Sequence, residues 1–181
     1  MFTQNYMNYQ KGVFMGADYV VTTANGTATT ITGGLSVSLA GLGYALARGI
    51  CRSISGAGNS PSDVSGVCFG TDPTPPTKND ITLPGLIAYG LTIESMGSLV
   101  GKVAEGIYAA WGSYTVKNTS TTLKNIYEIG IFVSLRSSAS SGNYLPVLME
   151  RTVLPEPISL QPGEETIITH KITFNQTLSV D

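Results

Sequence analysis

The residues that could perform acid–base chemistry are few, and they do not converge on a catalytic motif. His170 is the only histidine in the chain of 181 residues, and it lies between Ile168 and Ile172 in a strand-like alternation. Histidine often transfers protons in enzymes, but a nucleophilic triad also needs an activated serine or cysteine, and no such motif accompanies His170. The pattern predicts a histidine that is packed in a sheet or hydrogen-bonded across strands.

The charged residues that lie within apolar or proline-rich stretches have structural interpretations too. Asp72 and Asp80 flank a proline-rich segment, where loop oxygens could bind calcium, but calcium takes about six to eight oxygens and the spacing matches no calcium loop. Glu128 lies within an apolar run, so burial would require a partner, of which a neighbouring turn is the simplest. Glu150 and Arg151 are adjacent in a strand pattern and therefore point to opposite faces. Each is predicted to pair with a charge on a neighbouring strand or across a subunit boundary.

Cofactor, metal and substrate sites are not indicated. The glycines from Gly97 to Gly112 form neither of the glycine-rich phosphate-binding motifs. Cys51 and Cys68 cannot build a tetrahedral zinc site with one histidine unless carboxylates join them, and we expect two free thiols rather than a disulfide. Trp111 and Tyr108 fall on opposite faces of a regular strand, which favours core or interface packing over a sugar platform. We expect no cofactor, no small-molecule substrate and no enzymatic activity.

The composition narrows the classes of partner. Net charge is −2 and the basic residues are scattered, whereas a nucleic-acid surface requires clustered Lys and Arg. The longest apolar stretch, Leu35–Ile50, is interrupted by glycines and is shorter than the roughly 20 residues of a spanning helix, so no membrane segment is expected; strand and helix both remain open for it. The N-terminus resembles no signal peptide. Charged residues make up 12% of the chain, about half the usual fraction, which indicates either a surface covered by copies and partners or a neutral Ser/Thr-rich β-protein.

The pattern of short β-prone runs separated by polar turns predicts an all-β fold. Asn25-Gly26 is a strong hairpin dipeptide, and the segment around Pro162-Gly163 reads as strand, tight turn, strand. We predict a β-sandwich, of which a jelly roll is one topology, with an N-terminal arm or extension. Residues 1–69 would supply the arm and first strands and residues 70–181 the sandwich core, within one domain overall. The candidate strands of the second half are Ile87–Ile93, Lys102–Trp111, Tyr114–Asn118, Ile126–Leu135, Val147–Leu154 and Thr166–Phe174.

The first twenty residues are rich in aromatic side chains. They could form an arm that docks on a neighbouring subunit, or a first strand with a lead-in. Aromatic residues are enriched in interface cores, where charged residues are depleted. The candidate interface residues are Phe2, Tyr6, Tyr9, Phe14 and Tyr19.

Five short segments follow one another in a set order between Gly70 and Phe174. They are Gly70-Thr-Asp-Pro-Thr-Pro-Pro-Thr77 with Asp80 and Leu83, Tyr114-Thr-Val-Lys-Asn-Thr119, Glu128-Ile-Gly-Ile-Phe132, Leu148-Met-Glu-Arg-Thr-Val-Leu154, and Leu160-Gln-Pro-Gly163 with the strand that follows. Their order resembles a pattern found in tailed-bacteriophage virion proteins. The resemblance implies a β-rich, multimeric part of the particle, such as a capsid decoration, a head–tail or collar protein, or a tail component. It implies no catalytic residues.

The function expected from the sequence is therefore that of a homo-oligomeric virion protein, which is assembled in the host cytoplasm and acts by contact with copies of itself and with other virion proteins. Symmetric self-association is the usual form of such assemblies. The alternative is a receptor- or glycan-binding module on the virion surface. Its recognition loops would be Ser53–Gly66 and Arg136–Asn143.

Overall fold

The computed structural model describes residues 1–8, 19–31, 65–104, 107–136 and 144–175, which form eight strands and one short helix, α1 (residues 4–8). The predictions about Leu35–Ile50, Cys51, most of Ser53–Gly66 and residues 137–143 fall outside these ranges. The strands are β1 (Tyr19–Thr22), β2 (Ala28–Ile31), β3 (Gly66–Gly70), β4 (Leu91–Ala104), β5 (Ile107–Asn118), β6 (Lys124–Arg136), β7 (Tyr144–Leu160) and β8 (Glu165–Asn175).

Two three-stranded antiparallel sheets form the body of the protein. The first sheet has the order β3-β6-β7, the second has the order β4-β5-β8, and β1 and β2 form a separate hairpin. One apolar core contains side chains from both sheets, among them Ile131 of β6, Tyr114 of β5 and Ile168 of β8. The predicted all-β sandwich is confirmed. The strand orders of the described residues do not confirm a jelly roll.

Alternation along the strands places the core as predicted. In β6, Ile129, Ile131, Val133 and Leu135 are all buried on one face. A register shift between Ile126 and Glu128 breaks this alternation. Ile126 is therefore buried, while Tyr127, which strict alternation from Ile129 would place on the apolar face, is only half-buried. In β8 the face of Ile168, His170 and Ile172 is buried, and Thr169, Lys171 and Thr173 are exposed. The bulge therefore shifts one residue and leaves the rest of the pattern intact.

The turns follow the predicted glycines. Gly26 has φ of +85° and closes the β1–β2 hairpin, and Gly163 has φ of +81° between β7 and β8. The second turn joins strands of different sheets, so it crosses the sandwich rather than closing a hairpin. Asn118 fixes this corner because its side chain donates hydrogen bonds to the carbonyls of Leu160 and Thr122, both at 2.8 Å.

Two strand predictions were wrong, and one strand was missed. The predicted strand Lys102–Trp111 spans two strands, because β4 ends at Ala104 and β5 begins at Ile107 in an antiparallel pair. The predicted strand Ile87–Ile93 begins too early, since β4 starts at Leu91. The buried strand β3 was missed, because its sequence Gly-Val-Cys-Phe-Gly is short and begins and ends with glycine. The division at residue 69 stays a prediction.

A strap of residues 71–86 covers the outer face of the first sheet. At its end, the amide of the next residue, Ile87, donates to the Phe69 carbonyl of β3 at 2.8 Å. Leu83 of this strap forms a second, smaller core with Cys68, Phe132 and Leu148. Gly130 permits this approach, because a Cβ there would lie 2.1 Å from Leu83 Cδ1. The first sheet is thus covered on both faces, by the second sheet and by the strap.

Candidate functional site

The buried charges of the described residues meet at two adjacent positions of β7. Glu150 and Arg151 are 4% and 2% exposed, and their side chains lie on opposite faces of the first sheet. Glu150 pairs in register with Ile131 of the main core, whereas Arg151 pairs with Gly130, which underlies the strap. The prediction of opposite faces is confirmed, and each side chain has its own set of partners.

Arg151 holds the strap against the sheet. Its Nε donates to Glu128 Oε2 at 2.5 Å, its Nη1 to Asp80 Oδ2 at 2.8 Å and its Nη2 to the carbonyl of Thr74 at 3.1 Å. Asp72 Oδ2 lies 3.6 Å from Nη2. We call these five residues the Arg151 cluster. One guanidinium thus joins β6, β7 and both ends of the proline-rich segment.

The acidic members of the Arg151 cluster have different pKa values because their surroundings differ. Burial raises the pKa of Glu128, and the Arg151 guanidinium opposes the rise. Burial also acts to raise the pKa of Asp80, but hydrogen bonds from Thr77 and Arg151 outweigh it, and the pKa is lowered. Hydrogen bonds from Thr74 lower the pKa of Asp72. Glu128 is therefore the member whose charged form is least favoured.

The Glu128 carboxylate occupies space that a side chain at position 70 would fill. The carboxylate is fully buried, and a Cβ at Gly70 would lie 2.1 Å from Oε1 and 2.7 Å from Cδ. Oε2 is bonded to Arg151, while Oε1 has no hydrogen-bond partner among the described residues. The main partner of Glu128 is thus the guanidinium on the neighbouring strand. The backbone of Asp72, in the strap, also favours the charged carboxylate.

Glu150 forms a second group, the Glu150 cluster, with Met1, Thr152 and His170. Its Oε2 lies 2.9 Å from His170 Nε2, and its Oε1 accepts from the Met1 amine at 2.9 Å and from Thr152 Oγ1 at 2.5 Å. His170 belongs to β8, so this contact joins the two sheets through the core. The predicted packed histidine is confirmed, with its partner across the sandwich rather than on the next strand.

The Glu150 cluster favours an ionised carboxylate. Burial acts to raise the pKa of Glu150, but the hydrogen bond and charge of His170 outweigh it, and the pKa is lowered. A carboxylate that orients an imidazole is also part of many acid–base sites. Here His170 is 5% exposed, so little of the imidazole is in reach of a solute. The arrangement can orient groups and join the sheets.

The predicted interface residues fall in different places. Tyr6 is 7% exposed and lies in the main core, where burial raises its pKa to about 12, and Phe2 stacks on it with 4.0 Å between ring centroids. Tyr19 lies in β1, but its side chain, like Tyr9 and Phe14, is outside the described part of the chain. Whether any of the five contacts a second subunit stays a prediction.

The outer face of the second sheet carries few charges. Trp111 lies on this face beside Lys171, whose Nζ is 5.5 Å from the ring centroid, so Trp111 is not a core residue. Ser95 Oγ and Thr115 Oγ1 are 2.8 Å apart, and Ile167 is 69% exposed. Beyond the Lys117–Glu165 pair at its end, the described members of this outer face are Ser95, Gly97, Ala109, Trp111, Ser113, Thr115, Ile167, Thr169, Lys171 and Thr173. Of these, Ala109 is fully buried.

Sequence reasoning identified most members of both clusters but did not bring them together. Asp72 and Asp80, considered for calcium, are bound to Arg151. Nothing in the local pattern predicted Thr74, which contributes a backbone carbonyl. No group of three or more His, Cys, Asp or Glu side chains in the described ranges is placed to hold a metal ion. Cys68 is buried in the smaller core beside Leu83, and the expectation of two free thiols stays a prediction because Cys51 lies outside the described residues.

Comparison with known proteins adds no relative. No protein family, no curated protein and no solved structure matches this chain. In the part of the chain that the structure describes, no helix is long and apolar enough to cross a membrane.

Proposed function

We propose that this protein is a structural component of a bacteriophage particle that acts by self-assembly and by contact with other virion proteins. The observation that carries the proposal is the outer face of the second sheet. Among its described members, it exposes Ile167, Thr169 and Thr173, and Lys171 is the charged residue near its middle. The other described charges lie toward one end, where Lys117 pairs in register with Glu165 and Glu94 accepts a hydrogen bond from Thr92. Depletion of charge is the compositional mark of an interface core. A pleated, neutral face of this kind fits a second subunit.

The buried ionisable groups support a contact role rather than a chemical one. Glu128, Glu150 and Arg151 are each in an ion pair within the chain, and His170 is hydrogen-bonded to Glu150. Groups held in such pairs stabilise a single arrangement of strands, whereas an acid–base site needs a group within reach of the substrate. The virion setting is supported by the resemblance from Gly70 to Phe174.

Light scattering after gel filtration tests the self-assembly. We expect a discrete oligomer for the natural chain and a smaller species for Ile167→Glu, which adds a charge to the outer face. Leu123→Glu is the matched control, because Leu123 is 46% exposed in the turn between β5 and β6. A natural chain that stays monomeric at high concentration would overturn self-assembly.

A separate experiment tests the virion setting. Purified phage particles are labelled with an antibody against the chain, and unlabelled particles would overturn this part of the proposal.

The alternative of a receptor- or glycan-binding module has one observation in its favour. Trp111 is half-buried on the outer face, with the hydroxyls of Ser113 and Thr169 nearby in register. Aromatic faces and hydroxyls together suit sugar binding. The loops that were predicted to recognise a receptor lie largely outside the described residues. Binding of the natural chain, and not of Trp111→Ala, to a glycan panel would favour this alternative.

A further inference from the structure

The first three residues complete the edge of the first sheet. The Thr3 amide donates to the Met149 carbonyl at 3.0 Å, and the Arg151 amide donates to the Met1 carbonyl at 3.0 Å. Phe2 faces Glu150 as an antiparallel bridge between them. β7 is the terminal strand in the order β3-β6-β7. Without residues 1–3, these backbone groups of β7 would be an open edge, which is a template for pairing with another chain.

Side chains of the same segment fill sites on the body of the protein. Thr3 is fully buried, and its Oγ1 donates to the Leu148 carbonyl at 2.7 Å. Tyr6 lies in the main core with Phe2 against it. Asn5 exchanges two hydrogen bonds, both 2.7 Å, with the backbone of Thr22 in β1. Residues 1–8 thus form a discrete docking segment, which we call the N-terminal segment.

The chain that follows this segment is long for the distance that it must span. Asn8 Nδ2 lies 2.8 Å from the Val20 carbonyl, yet residues 9–18 separate the segment from β1. Ten residues span up to about 33–36 Å when extended. A connection of this length would allow the N-terminal segment to leave its own chain and dock on a subunit whose β7 edge lies within that distance.

We propose that the N-terminal segment is exchanged between copies of this chain, so that residues 1–8 of one subunit dock on β7 of the next. This inference rests on the proposed self-assembly. The same hydrogen bonds and the same burial of Tyr6 form within a chain or between chains, so the choice depends on which β7 edge is nearer in the assembly. In dilute monomers the segment docks on its own chain, and in the assembled state it joins neighbours.

Photo-crosslinking of an isotope mixture tests the exchange in the full chain. The photoreactive p-benzoylphenylalanine replaces Phe2, which keeps an aromatic ring opposite Glu150. Unlabelled and ¹⁵N-labelled copies are unfolded together, refolded, assembled and irradiated. Crosslinked peptides that join the N-terminal segment to β7 are then identified by mass spectrometry. We expect as many mixed-isotope as single-isotope crosslinks in the oligomer. A second variant carries the photoreactive residue at Met7, which is 58% exposed, so that loss of folding at Phe2 does not decide the outcome.

The outcomes separate the two proposals. An oligomer whose crosslinks are all single-isotope would overturn the exchange and leave self-assembly standing. Absence of any oligomer by light scattering would overturn self-assembly and the exchange together.

Discussion

Glu150 and Arg151 are adjacent in β7, yet their side chains enter separate buried clusters on the two faces of one sheet. Glu150 joins the first sheet to the second through His170, and Arg151 joins it to the strap through Asp80. The Arg151 backbone also bonds the N-terminal segment. Three layers of the protein therefore depend on two consecutive residues.

Loss of Arg151 should be among the most damaging single changes. Arg151→Ala leaves Glu128 buried without its cation, and breaking a buried pair in this way costs about 3–5 kcal/mol. We expect the free energy of unfolding in urea to fall by that amount. Lys171→Ala is the control, since Lys171 is exposed beside Trp111 and its removal should cost about 0.5–1 kcal/mol. Equal losses in the two variants would contradict the role of the Arg151 cluster.

Glu150 should give the protein a measurable pH dependence. Its pKa is lowered from an ordinary value of 4.5, so its contribution to stability is present above that value and is lost as the pH falls through the folded-state pKa. Glu150→Gln removes this contribution. We expect the stability difference between the natural chain and the variant to be largest at neutral pH and to shrink in acid.

The measurement is the urea midpoint of the natural chain and of Glu150→Gln, from neutral to acid pH. The raised pKa of Glu128 acts in the opposite sense, because protonation relieves an unfavourable buried charge. Glu128 is present in both proteins, so its effect cancels in the difference. A difference that does not change with pH would show that the charge of Glu150 is not what stabilises the Glu150 cluster.

Gly70 should be intolerant of even one methyl group. In Gly70→Ala the new Cβ would meet three side-chain atoms of Glu128, the nearest at 2.1 Å. Overpacking of this kind costs about 1–3 kcal/mol. Gly97→Ala is the matched control, because a Cβ there has no neighbour within 4 Å. The Gly70→Ala/Arg151→Ala double variant should lose less than the sum of the single losses, since both disturb the same pair. Additive losses would argue against this coupling.

The sequence predicted the features of this fold that depend on local pattern. Alternation placed Ile168, His170 and Ile172 on one buried face, and the glycines at positions 26 and 163 marked turns. Lys102–Trp111 failed because only the dipeptide Glu105-Gly106 separates β4 from β5, and this short turn signal lies within one β-prone run of the sequence. β3 failed because burial of both its faces leaves no alternation to detect.

The sequence indicated which residues belong to the candidate site, but not which of them pair with each other. Glu128 and Arg151 stood out as charges within apolar strands, a placement that requires partners. Their contact depends on the β6–β7 register, and that of Arg151 with Asp80 depends on how the strap folds back over the sheet. These are long-range relationships, and a single sequence carries no local signal for them. The same holds for Glu150 and His170, which meet across two sheets.

Asn118 should be the residue that holds the crossing turn together. It is fully buried, and its Nδ2 donates to the carbonyls of Leu160 and Thr122 while its Oδ1 accepts from the Ser120 amide. In Asn118→Ala the Leu160 carbonyl would lose this partner, and a buried unsatisfied group costs about 1–3 kcal/mol.

Asn125→Ala is the control, because Asn125 only accepts from the exposed Ser159 hydroxyl. We expect the urea midpoint to fall clearly for the first variant and little for the second, together with faster hydrogen exchange at the Gly163 and Glu164 amides. Protected turn amides in Asn118→Ala would show that the backbone hydrogen bonds between Gly163, Glu164 and Asn118 suffice to hold the turn.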